Sequence, residues 1–420
     1  MFVNPKRSGA SAGELYSYYA GFSPAFVAAA LRDLQLAEST MLLDPWNGAG
    51  TTTRVGTRLG FAVRGFDINP VMVLVAKAAL LTDTVKPSMS ALAHDLAERA
   101  TILDGLRDED PLLDWFERPG AAWLRGIEAA IRHTLLPNSN CGPIASCVSL
   151  AHVSSLASFF YTALFRVTRA ATERFRTSNP TWVSRAGASR VRKAAETLKA
   201  MFLEEVDKME TALSQTPSNP ERPREAIVAL GDSTSLPLET ASIDAVISSP
   251  PYCTRIDYAV ATLPELALLG VEAFSLRALR DRMIGTPTVS KDVPQTRAEW
   301  GRTCNEFLSA VAAHPSKASG TYYSKVLRSY FARMDGSLCE LRRVTKAQAK
   351  VVLVVQDSYY KDVHNDLPTI LIEMAAANGF TIRDRCDFTM TNGLRAINSR
   401  SRVYRKASYT IETVLLLDNQ

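Results

Sequence analysis

The amino-acid sequence predicts an α/β fold, a doubly wound parallel sheet with a large helical insertion between its second and third strands. Two short apolar runs near the N-terminus each lead into a segment with helical spacing, which is typical of a β-α-β-α start. A stretch rich in Ala, Leu, Glu and Arg then interrupts the strands, and strand-like runs resume downstream of it.

The first elements are marked by turn and capping residues. Ser23 and Pro24 are typical of a helix start, and Gly60 of a helix end. The predicted elements are a helix within 13–38, a strand at 41–44, a helix at 51–59, a strand at 62–67 and a helix at 69–81.

The later part of the chain divides at a Pro-rich linker, residues 215–223. The predicted division is a first part of the core at 1–84, a helical insertion at 85–222 and a second part of the core at 223–420, with a variable polar stretch at 275–318. Within the second part we expect strands at 226–230, 243–248 and 350–356, helices at 321–342 and 366–378, and final strands near 381–388 and 409–417.

Composition excludes several classes of protein. The 420 residues are 46% hydrophobic and 22% charged, as in an ordinary globular protein. No apolar run reaches membrane-spanning length, so we expect no membrane partner. The N-terminal residues lack the apolar segment of a signal peptide, and we expect a cytoplasmic location. The six cysteines lack the paired spacing of zinc ligands, so no metal site is expected.

A glycine turn, residues 44–52, follows the first strand and has the sequence Asp-Pro-Trp-Asn-Gly-Ala-Gly-Thr-Thr. Ligands of doubly wound sheets bind beyond the carboxyl ends of the strands, so the turn is predicted to hold a nucleoside cofactor. The pair Gly48 and Gly50 lets the backbone approach a ligand without a Cβ atom between them. The turn lacks the third glycine of the dinucleotide-binding pattern and is a weak signal by itself.

Two acids that end strands are candidates for the same ligand. Asp67 lies about twenty residues after the turn, where a carboxylate can accept hydrogen bonds from two ribose hydroxyls. Asp232 ends the third strand and can accept from an adenine amino group. The alternative for each is to cap a following helix. The ribose role is favoured for Asp67, and both roles stay open for Asp232.

The fourth strand runs directly into Ser249-Pro250-Pro251-Tyr252, the Ser-Pro-Pro-Tyr loop. Consecutive prolines restrict the backbone, so the loop is predicted to be rigid. Ser249 Oγ and the Pro250 carbonyl can accept the two hydrogens of a planar amino group, and the Tyr252 ring can stack on a base. The alternative is a polyproline turn, which the preceding buried-strand pattern disfavours.

These segments together resemble the amino-methyltransferase family of DNA methylases, which use S-adenosylmethionine. The resemblance rests on residues 19–24, 44–52, 65–69 and 249–252, in that order, and extends over about 14–82 and 226–270. It implies a Rossmann-like methyltransferase sheet. A serine at the first position of the loop is similar to the cytosine-N4 type, whereas Asp or Asn is similar to the adenine-N6 type. The implied function is methyl transfer to N4 of a cytosine flipped out of a specific sequence in double-stranded DNA.

The resemblance and the strand-end acids give the site residues. The predicted catalytic residues are Ser249, Pro250, Pro251 and Tyr252. The predicted S-adenosylmethionine contacts are Phe22, Ser23, Pro24, Asp44, Pro45, Asn47, Gly48, Gly50, Thr51, Thr52, Asp67, Ile68, Asp232 and Ser233.

Basic residues cluster within 166–199 and within 395–406. The alternative to a function is a solvated helix face, which is what most charge runs are. Because the motifs above are also present, we interpret these basic residues as a surface that contacts nucleic-acid phosphates. The insertion is favoured for this backbone contact over the segments 275–318 and 395–406. The predicted nucleic-acid contacts are Arg166, Arg169, Arg174, Arg176, Arg190, Arg192, Arg255, Arg400 and Arg402.

Three other functions stay open at this point. They are an adenine-N6 DNA methylase, an RNA base amino-methylase and a non-catalytic nucleic-acid-binding subunit. The last is disfavoured because the glycine turn and the Ser-Pro-Pro-Tyr loop are both intact. The sequence also leaves open a homodimer and a partnership with a cognate restriction endonuclease, and it does not reveal the recognition sequence.

Overall fold

A computed structural model of the chain describes residues 2–5, 14–17, 21–81, 88–100, 106–136, 143–144, 150–177, 182–214, 225–254, 256–288, 293–390 and 409–420. Its strands are β1 (Met41–Asp44), β2 (Ala62–Asp67), β3 (Ala226–Leu230), β4 (Ile243–Ser248), β5 (Thr345–Gln356), β6 (Ser358–Tyr360), β7 (Val363–Asn365), β8 (Phe380–Met390) and β9 (Thr410–Asn419). Strands β6 and β7 form a separate hairpin.

The other seven strands form one sheet of order β3-β2-β1-β4-β5-β9-β8. Strands β1 to β5 pair in parallel, whereas β9 runs antiparallel to both β5 and β8. The strand order reverses between β1 and β4, so the predicted doubly wound α/β fold is confirmed. At such a reversal, the loops beyond the carboxyl ends of the two strands separate and leave a crevice for a ligand.

The first helix precedes β1, and the other helices lie between strands in chain order. They are α1 (Pro24–Asp33), α2 (Thr51–Arg58), α3 (Pro70–Ala78), α4 (Met89–Arg99), α5 (Arg118–Leu135), α6 (Ser155–Ala171), α7 (Ala195–Ser214), α8 (Leu263–Leu268), α9 (Ala273–Arg282), α10 (Arg302–Ala313), α11 (Ser324–Val344) and α12 (Leu367–Ala377). In the part of the chain that is described, no helix has the length and apolar character needed to cross a membrane.

The first helix is shorter than the range 13–38 predicted for it. It begins at Pro24, and Ser23 Oγ caps it by accepting from the Phe26 N–H at 3.1 Å. Proline has no N–H to donate and disfavours helical angles in the residue before it, so the helix cannot extend upstream. The stretch 275–318 also differs from its prediction, because it contains most of α9, all of α10 and the fully buried Trp300.

Successive strand residues point to opposite faces of the sheet, and both faces are covered. Leu42 packs with α1 and α2, whereas its neighbour Leu43 packs with α10, α11 and α12. Strand β5 is buried on both sides along 351–355. A strand buried on both faces is typical of a sheet with helix layers on each side.

The helices α4 to α7 follow β2 and precede β3, as predicted for the insertion. They share one apolar core with α3 and α8. Lys77 of α3 is buried there, and its Nζ donates to the carbonyls of Leu150, Ala151 and Val153 at 2.6–2.9 Å. Burial lowers the pKa of Lys77 to about 8. The described part of residues 85–222 packs directly onto the core. The assignment of these residues to a separate unit therefore stays a prediction.

Candidate active site

The main cleft lies at the carboxyl ends of β1, β2 and β4, where the strand order reverses. It encloses about 920 Å³, counting the part open to solvent. The predicted site residues in its walls are Phe22, Asp44, Pro45, Asn47, Gly48, Thr51, Asp67, Ile68, Asp232, Ser233, Ser249, Pro250, Pro251 and Tyr252. The fold thus brings the glycine turn and the Ser-Pro-Pro-Tyr loop, about 200 residues apart in sequence, into one cavity.

Asp44 joins the two strands at the base of the cleft. Its side chain is 3% exposed and accepts from the Trp46 N–H at 3.2 Å and from the Ser248 hydroxyl. Burial raises the pKa of Asp44 to about 6, although the hydrogen bonds from Ser248 and Thr52 oppose that shift. The carboxyl group therefore fixes the glycine turn of β1 against the end of β4.

The glycine turn lines the cleft and carries two polar side chains whose polar atoms are buried. The Asn47 N–H donates to the Phe66 carbonyl at 2.9 Å, and Gly48 adopts a positive φ of 48°. The Asn47 side chain is only 4% exposed, and neither its Oδ1 nor its Nδ2 has a hydrogen-bond partner among the described residues. The same holds for the buried Trp46 Nε1. These three atoms are buried within the protein, and the Asn47 side chain packs against Gly65 of β2, so they belong to the base of the turn and not to its open face.

Asp67 lies in the cleft wall directly beside the turn. Its Oδ2 accepts from the Gly48 N–H and its Oδ1 from the Asn69 N–H, both at 2.8 Å. Burial raises the pKa of Asp67 to about 6 against these backbone hydrogen bonds. The helix-capping alternative is wrong for this acid, because the cap of α3 is Asn69, whose Oδ1 accepts from the Val71 N–H at 3.1 Å.

Asp232 and Ser233 form a third wall. Asp232 accepts from the Thr234 N–H at 3.1 Å and from its hydroxyl at 2.7 Å, and Arg282 Nε lies 3.3 Å from its other oxygen. Ser233 Oγ lies 2.8 Å from Ser337 Oγ. Asp232 therefore closes a local turn and caps no helix, while still lining the cleft.

Four predicted cofactor contacts lie outside the cleft lining and have structural roles instead. A Cβ atom on Gly50 would lie 2.8 Å from Ala76 Cβ, so this glycine allows α2 to pack on α3. Thr52 is fully buried, and its Oγ1 donates to the Ile247 carbonyl at 3.0 Å. Ser23 caps α1, and Pro24 is the first residue of that helix.

The Ser-Pro-Pro-Tyr loop is held by side-chain hydrogen bonds to four other elements. Ser249 Oγ donates to the Val354 carbonyl of β5 at 2.9 Å. The hydroxyl of Tyr330 in α11 donates to the Pro251 carbonyl at 2.8 Å. The Tyr252 hydroxyl donates to Glu412 Oε1 of β9 at 3.0 Å. The hydroxyl of Ser358 in β6 donates to the carbonyl of Cys253, the residue directly after the loop, at 3.1 Å. The loop is therefore held in place before any substrate arrives.

Burial and neighbouring charge set the protonation of this loop. Burial, followed by the charge of Glu412, raises the pKa of Tyr252 well above its ordinary value, so the phenol stays neutral. Burial raises the pKa of the Cys253 thiol to about 12, so the thiol stays protonated and is a poor nucleophile. The loop can therefore orient a substrate, but it supplies no nucleophile of its own.

Sequence reasoning missed several residues of the cleft and its support. Trp46, Arg282, Met283 and Ile284 line the cavity, while Tyr330 and Glu412 fasten the loop. Trp46 could have been found, because it stands inside the glycine turn. The others come from elements that only tertiary structure brings together.

One of these elements is α9, which is held to the cleft by an ion pair. Asp257, fully buried, accepts from the Val260 N–H at 3.0 Å and pairs with Arg280 at 2.8 Å. This ion pair fixes the end of α9, and with it Arg282, at the rim of the cavity.

The predicted nucleic-acid contacts fall into four groups. Arg166 pairs with Glu205, and Arg169 Nε lies 2.9 Å from Glu265 Oε1, so both guanidinium groups join helices inside the fold and do not suit a phosphate surface. Arg176 pairs with Glu173 at 3.3 Å and its side chain is 16% exposed. The remaining predicted contacts comprise Arg174, Arg190 and Arg192, which line an open groove, and Arg255, Arg400 and Arg402, which lie outside the described residues.

Fold and cleft together define an α/β protein with a ligand cavity at the reversal of its strand order. No known family model matches the chain. The chain is similar to the Type II methyltransferases M.AvaI of Nostoc sp. and of Anabaena variabilis, each 26% identical over 150 residues that cover 33% of this chain and 31% of the relative. It is 31% identical over 140 residues to the Type II methyltransferase M.BsoBI of Geobacillus stearothermophilus, covering 28% of each chain.

These matches span less than a third of the length of the relatives. Among solved structures, the rRNA methyltransferase aviRa from Streptomyces viridochromogenes superposes with a TM-score of 0.32 and 10% identity, covering 99% of this chain and 94% of the other. A TM-score this low supports no argument about function. Within the described ranges, no group of three or more His, Cys, Asp or Glu side chains is arranged to hold a metal ion.

Proposed function

We propose that the chain is an S-adenosylmethionine-dependent DNA methyltransferase that modifies the exocyclic N4 amine of a cytosine flipped out of the duplex. The observation that carries the proposal is the single cleft containing both Asp67 with the glycine turn and the Ser-Pro-Pro-Tyr loop. The similarity to Type II methyltransferases over about 150 residues supports methyl transfer as the reaction.

The residues on one side of the cleft fit the cofactor. Asp67 has a carboxylate lone pair left for a ribose hydroxyl beyond those that accept the N–H groups of Gly48, Ile68 and Asn69. Gly48, at a positive φ, lets the backbone of the turn approach the cofactor without a Cβ atom in between. Asp232 and Ile68 line the same cavity. When bound, S-adenosylmethionine supplies an electrophilic methyl group on a sulfonium.

The residues on the other side fit an amino group. Ser249 Oγ gives its hydrogen to the Val354 carbonyl, so its lone pairs remain to accept from a substrate N–H. The Pro250 carbonyl is the second acceptor in the same wall. The lone pair of an exocyclic amine is delocalised into the ring, which makes the nitrogen planar and weakly nucleophilic. Two fixed acceptors favour the pyramidal nitrogen of the transition state over the planar ground state.

Tyr252 has a different role from these acceptors. Its hydroxyl is fastened to Glu412, which leaves the ring to stack on the face of the base. The methylated ammonium is acidic and loses its proton to water, so no strong base is required. The neutral side chains of the loop are consistent with that requirement, because none of them must take up the proton.

Ser249 at the first loop position supports cytosine N4 over adenine N6. An RNA base is the second substrate to test, because the loop would accept any planar exocyclic amine. DNA as the partner follows from the resemblance, while a homodimer, a cognate restriction endonuclease and a distinct insertion domain stay predictions.

Nucleoside analysis tests this proposal. The purified protein is incubated with methyl-labelled S-adenosylmethionine and either unmethylated DNA or RNA, and the products are digested and separated by mass spectrometry. We expect labelled N4-methyldeoxycytidine, and far less of it over the same time with the Ser249→Ala variant. Labelled N6-methyldeoxyadenosine would overturn the choice of base, and label in RNA alone would overturn DNA as the substrate.

A further inference from the structure

A second depression, the basic groove, lies on the helical insertion. It is formed by the C-terminal end of α6, the residue Arg174 and the segment 188–193, and it encloses about 1010 Å³ of space open to solvent. Its basic residues are Arg174, Arg190, Arg192 and Lys193. None of them belongs to the cleft described above, and the methyl-transfer chemistry gives them no role.

The walls of the groove are fixed by hydrogen bonds within the protein. The Arg174 guanidinium donates to the carbonyls of Ser189 and Arg190, the latter at 2.6 Å. On the other side, Val191 N–H donates to the Trp115 carbonyl at 2.7 Å, and its own carbonyl accepts from the Glu117 N–H at 3.0 Å. The segment 188–193 is therefore attached to the start of α5 and to Arg174, and a ligand meets a groove that is already formed.

The charge of the groove favours an anionic partner. Its lining contains four basic residues and no acidic ones. Glu117 pairs with Arg192 Nε. The Arg192 side chain is 80% exposed, and an ion pair this open to water is weak and easily exchanged for a phosphate. Repeated phosphates on a polymer complement several cations in one groove.

An exposed aromatic residue lies beside these cations. Trp182 is 40% exposed, and the Thr177 N–H donates to its carbonyl at 3.1 Å. The adjoining backbone lies beside the groove, because the Phe175 carbonyl accepts from the Ser184 N–H at 2.9 Å and the Phe175 ring lies 4.8 Å from the Arg174 guanidinium. Cations next to an exposed aromatic ring are typical of surfaces that bind nucleic acid.

The groove is within reach of the cleft. Arg169, immediately before the part of α6 that lines the groove, donates to the Ser17 carbonyl, and Gly21 lines the cleft. The four residue steps from Ser17 to Gly21 can separate the Cα atoms of these two residues by at most about 14 Å. A single turn of duplex DNA is about 34 Å long, so one duplex can contact both places.

We propose that the basic groove binds the phosphodiester backbone of the DNA duplex whose base enters the cleft. This inference rests on the proposed function for the identity of the duplex. Backbone contacts are independent of sequence, so the groove can be tested although the recognition sequence is unknown.

The test measures binding of the full chain to a short fluorescent DNA duplex of mixed sequence, by anisotropy over a series of salt concentrations. Arg190→Glu with Lys193→Glu should weaken binding by at least about tenfold at low salt and lower the slope of log K against log salt by about 2. Trp182→Ala should weaken binding without changing that slope. Arg32→Glu, an exposed position on α1, makes the same kind of charge change elsewhere and should leave both quantities unchanged.

The outcomes separate this inference from the proposed function. Wild-type affinity and slope in the Arg190→Glu/Lys193→Glu variant would overturn DNA binding by the basic groove, whether or not the protein methylates DNA. Groove-dependent binding of a duplex without any methyl transfer would support the groove and overturn the proposed function. Groove-dependent binding of single-stranded RNA in preference to the duplex would overturn the assignment to DNA.

Discussion

The two sides of the cleft differ in how their polar atoms are satisfied. The Ser-Pro-Pro-Tyr loop is fastened by hydrogen bonds to β5, α11, β9 and β6. On the cofactor side, Asp67 is partly exposed, and its carboxylate keeps a lone pair beyond those that accept backbone N–H groups. The loop is preorganised by the protein, whereas the cofactor side gains its last hydrogen bonds from a ligand.

This difference separates the expected effects of substitutions. Changes in the loop should lower turnover and leave cofactor affinity intact, because the loop contacts the amine and the rest of the fold holds it. Changes on the cofactor side should act first on cofactor affinity. A substitution that moved both quantities together would show that the two sides are not independent.

The largest effect is expected for Ser249→Ala, which removes one of the two acceptors for the amine. By comparison with the loss of one transition-state hydrogen bond in other enzymes, kcat should fall by about 100- to 1000-fold. Calorimetry with S-adenosylhomocysteine should give an unchanged Kd. Ser214→Ala is the matched control, since it removes an exposed hydroxyl at the end of α7, outside the cleft lining, and should leave kcat at the wild-type value. Wild-type turnover in Ser249→Ala would exclude the serine from the reaction.

The next effect is expected for Asp67→Ala on cofactor affinity. Hydrogen bonds to a charged group contribute about 1.5–3 kcal/mol, so Kd should rise by about 10- to 150-fold. Because Asp67 also holds the Gly48 N–H, Asp67→Asn serves as the control that keeps one acceptor oxygen in place. Equal Kd values for the wild type and Asp67→Ala would remove the ribose role.

A smaller loss is expected for Tyr252→Ala, which removes the stacking ring. Stacking on an aromatic side chain contributes about 1–3 kcal/mol, so turnover should fall by about 5- to 150-fold while Kd for the cofactor is kept. Tyr252→Phe keeps the ring and loses only the hydrogen bond to Glu412, so its loss should be clearly smaller. If the phenylalanine and alanine variants lose the same turnover, the hydroxyl and not the ring is the important group.

The smallest expected effect is on pH dependence, where the stability of the fold and the affinity for the cofactor should change in opposite directions. Burial raises the pKa of Asp44 and of Asp67 to about 6, so the folded protein binds protons more tightly than the unfolded chain between about pH 4 and 6. Thermal unfolding should therefore show stability falling as pH rises through that window. Cofactor affinity should rise over the upper part of it, because the ribose contact needs ionised Asp67. In Asp67→Asn, that rise in affinity should disappear.

The local motifs could be predicted from the sequence because each stands at the end of a strand. The runs 41–44 and 62–67 lie where they were expected, and the carboxyl ends of parallel neighbours meet at one edge. Hence the glycine turn and the Ser-Pro-Pro-Tyr loop could be assigned to one cleft from their positions alone. The start of the first helix was less predictable, because the proline boundary outweighed the helical spacing upstream.

The remaining parts depend on contacts that leave no local pattern. Glu412 and Tyr330 reach the loop from elements about 160 and 79 residues away in sequence. Arg166 and Arg169 belong to a basic run, yet each pairs with an acid on another helix, which charge spacing does not reveal. Gly50 and Thr52 lie within the glycine turn but serve helix packing, so membership of a motif did not ensure contact with a ligand.

The most direct test is sequencing of genomic DNA, with detection of modified bases, from cells that express the wild type or Ser249→Ala. The wild type should leave N4-methylcytosine at one recurring sequence, and the variant should leave far fewer of these sites modified. Cytosine methylation at the wild-type level in the Ser249→Ala cells, or a wild-type genome without any modified base, would contradict a cleft that joins the cofactor to a cytosine amine.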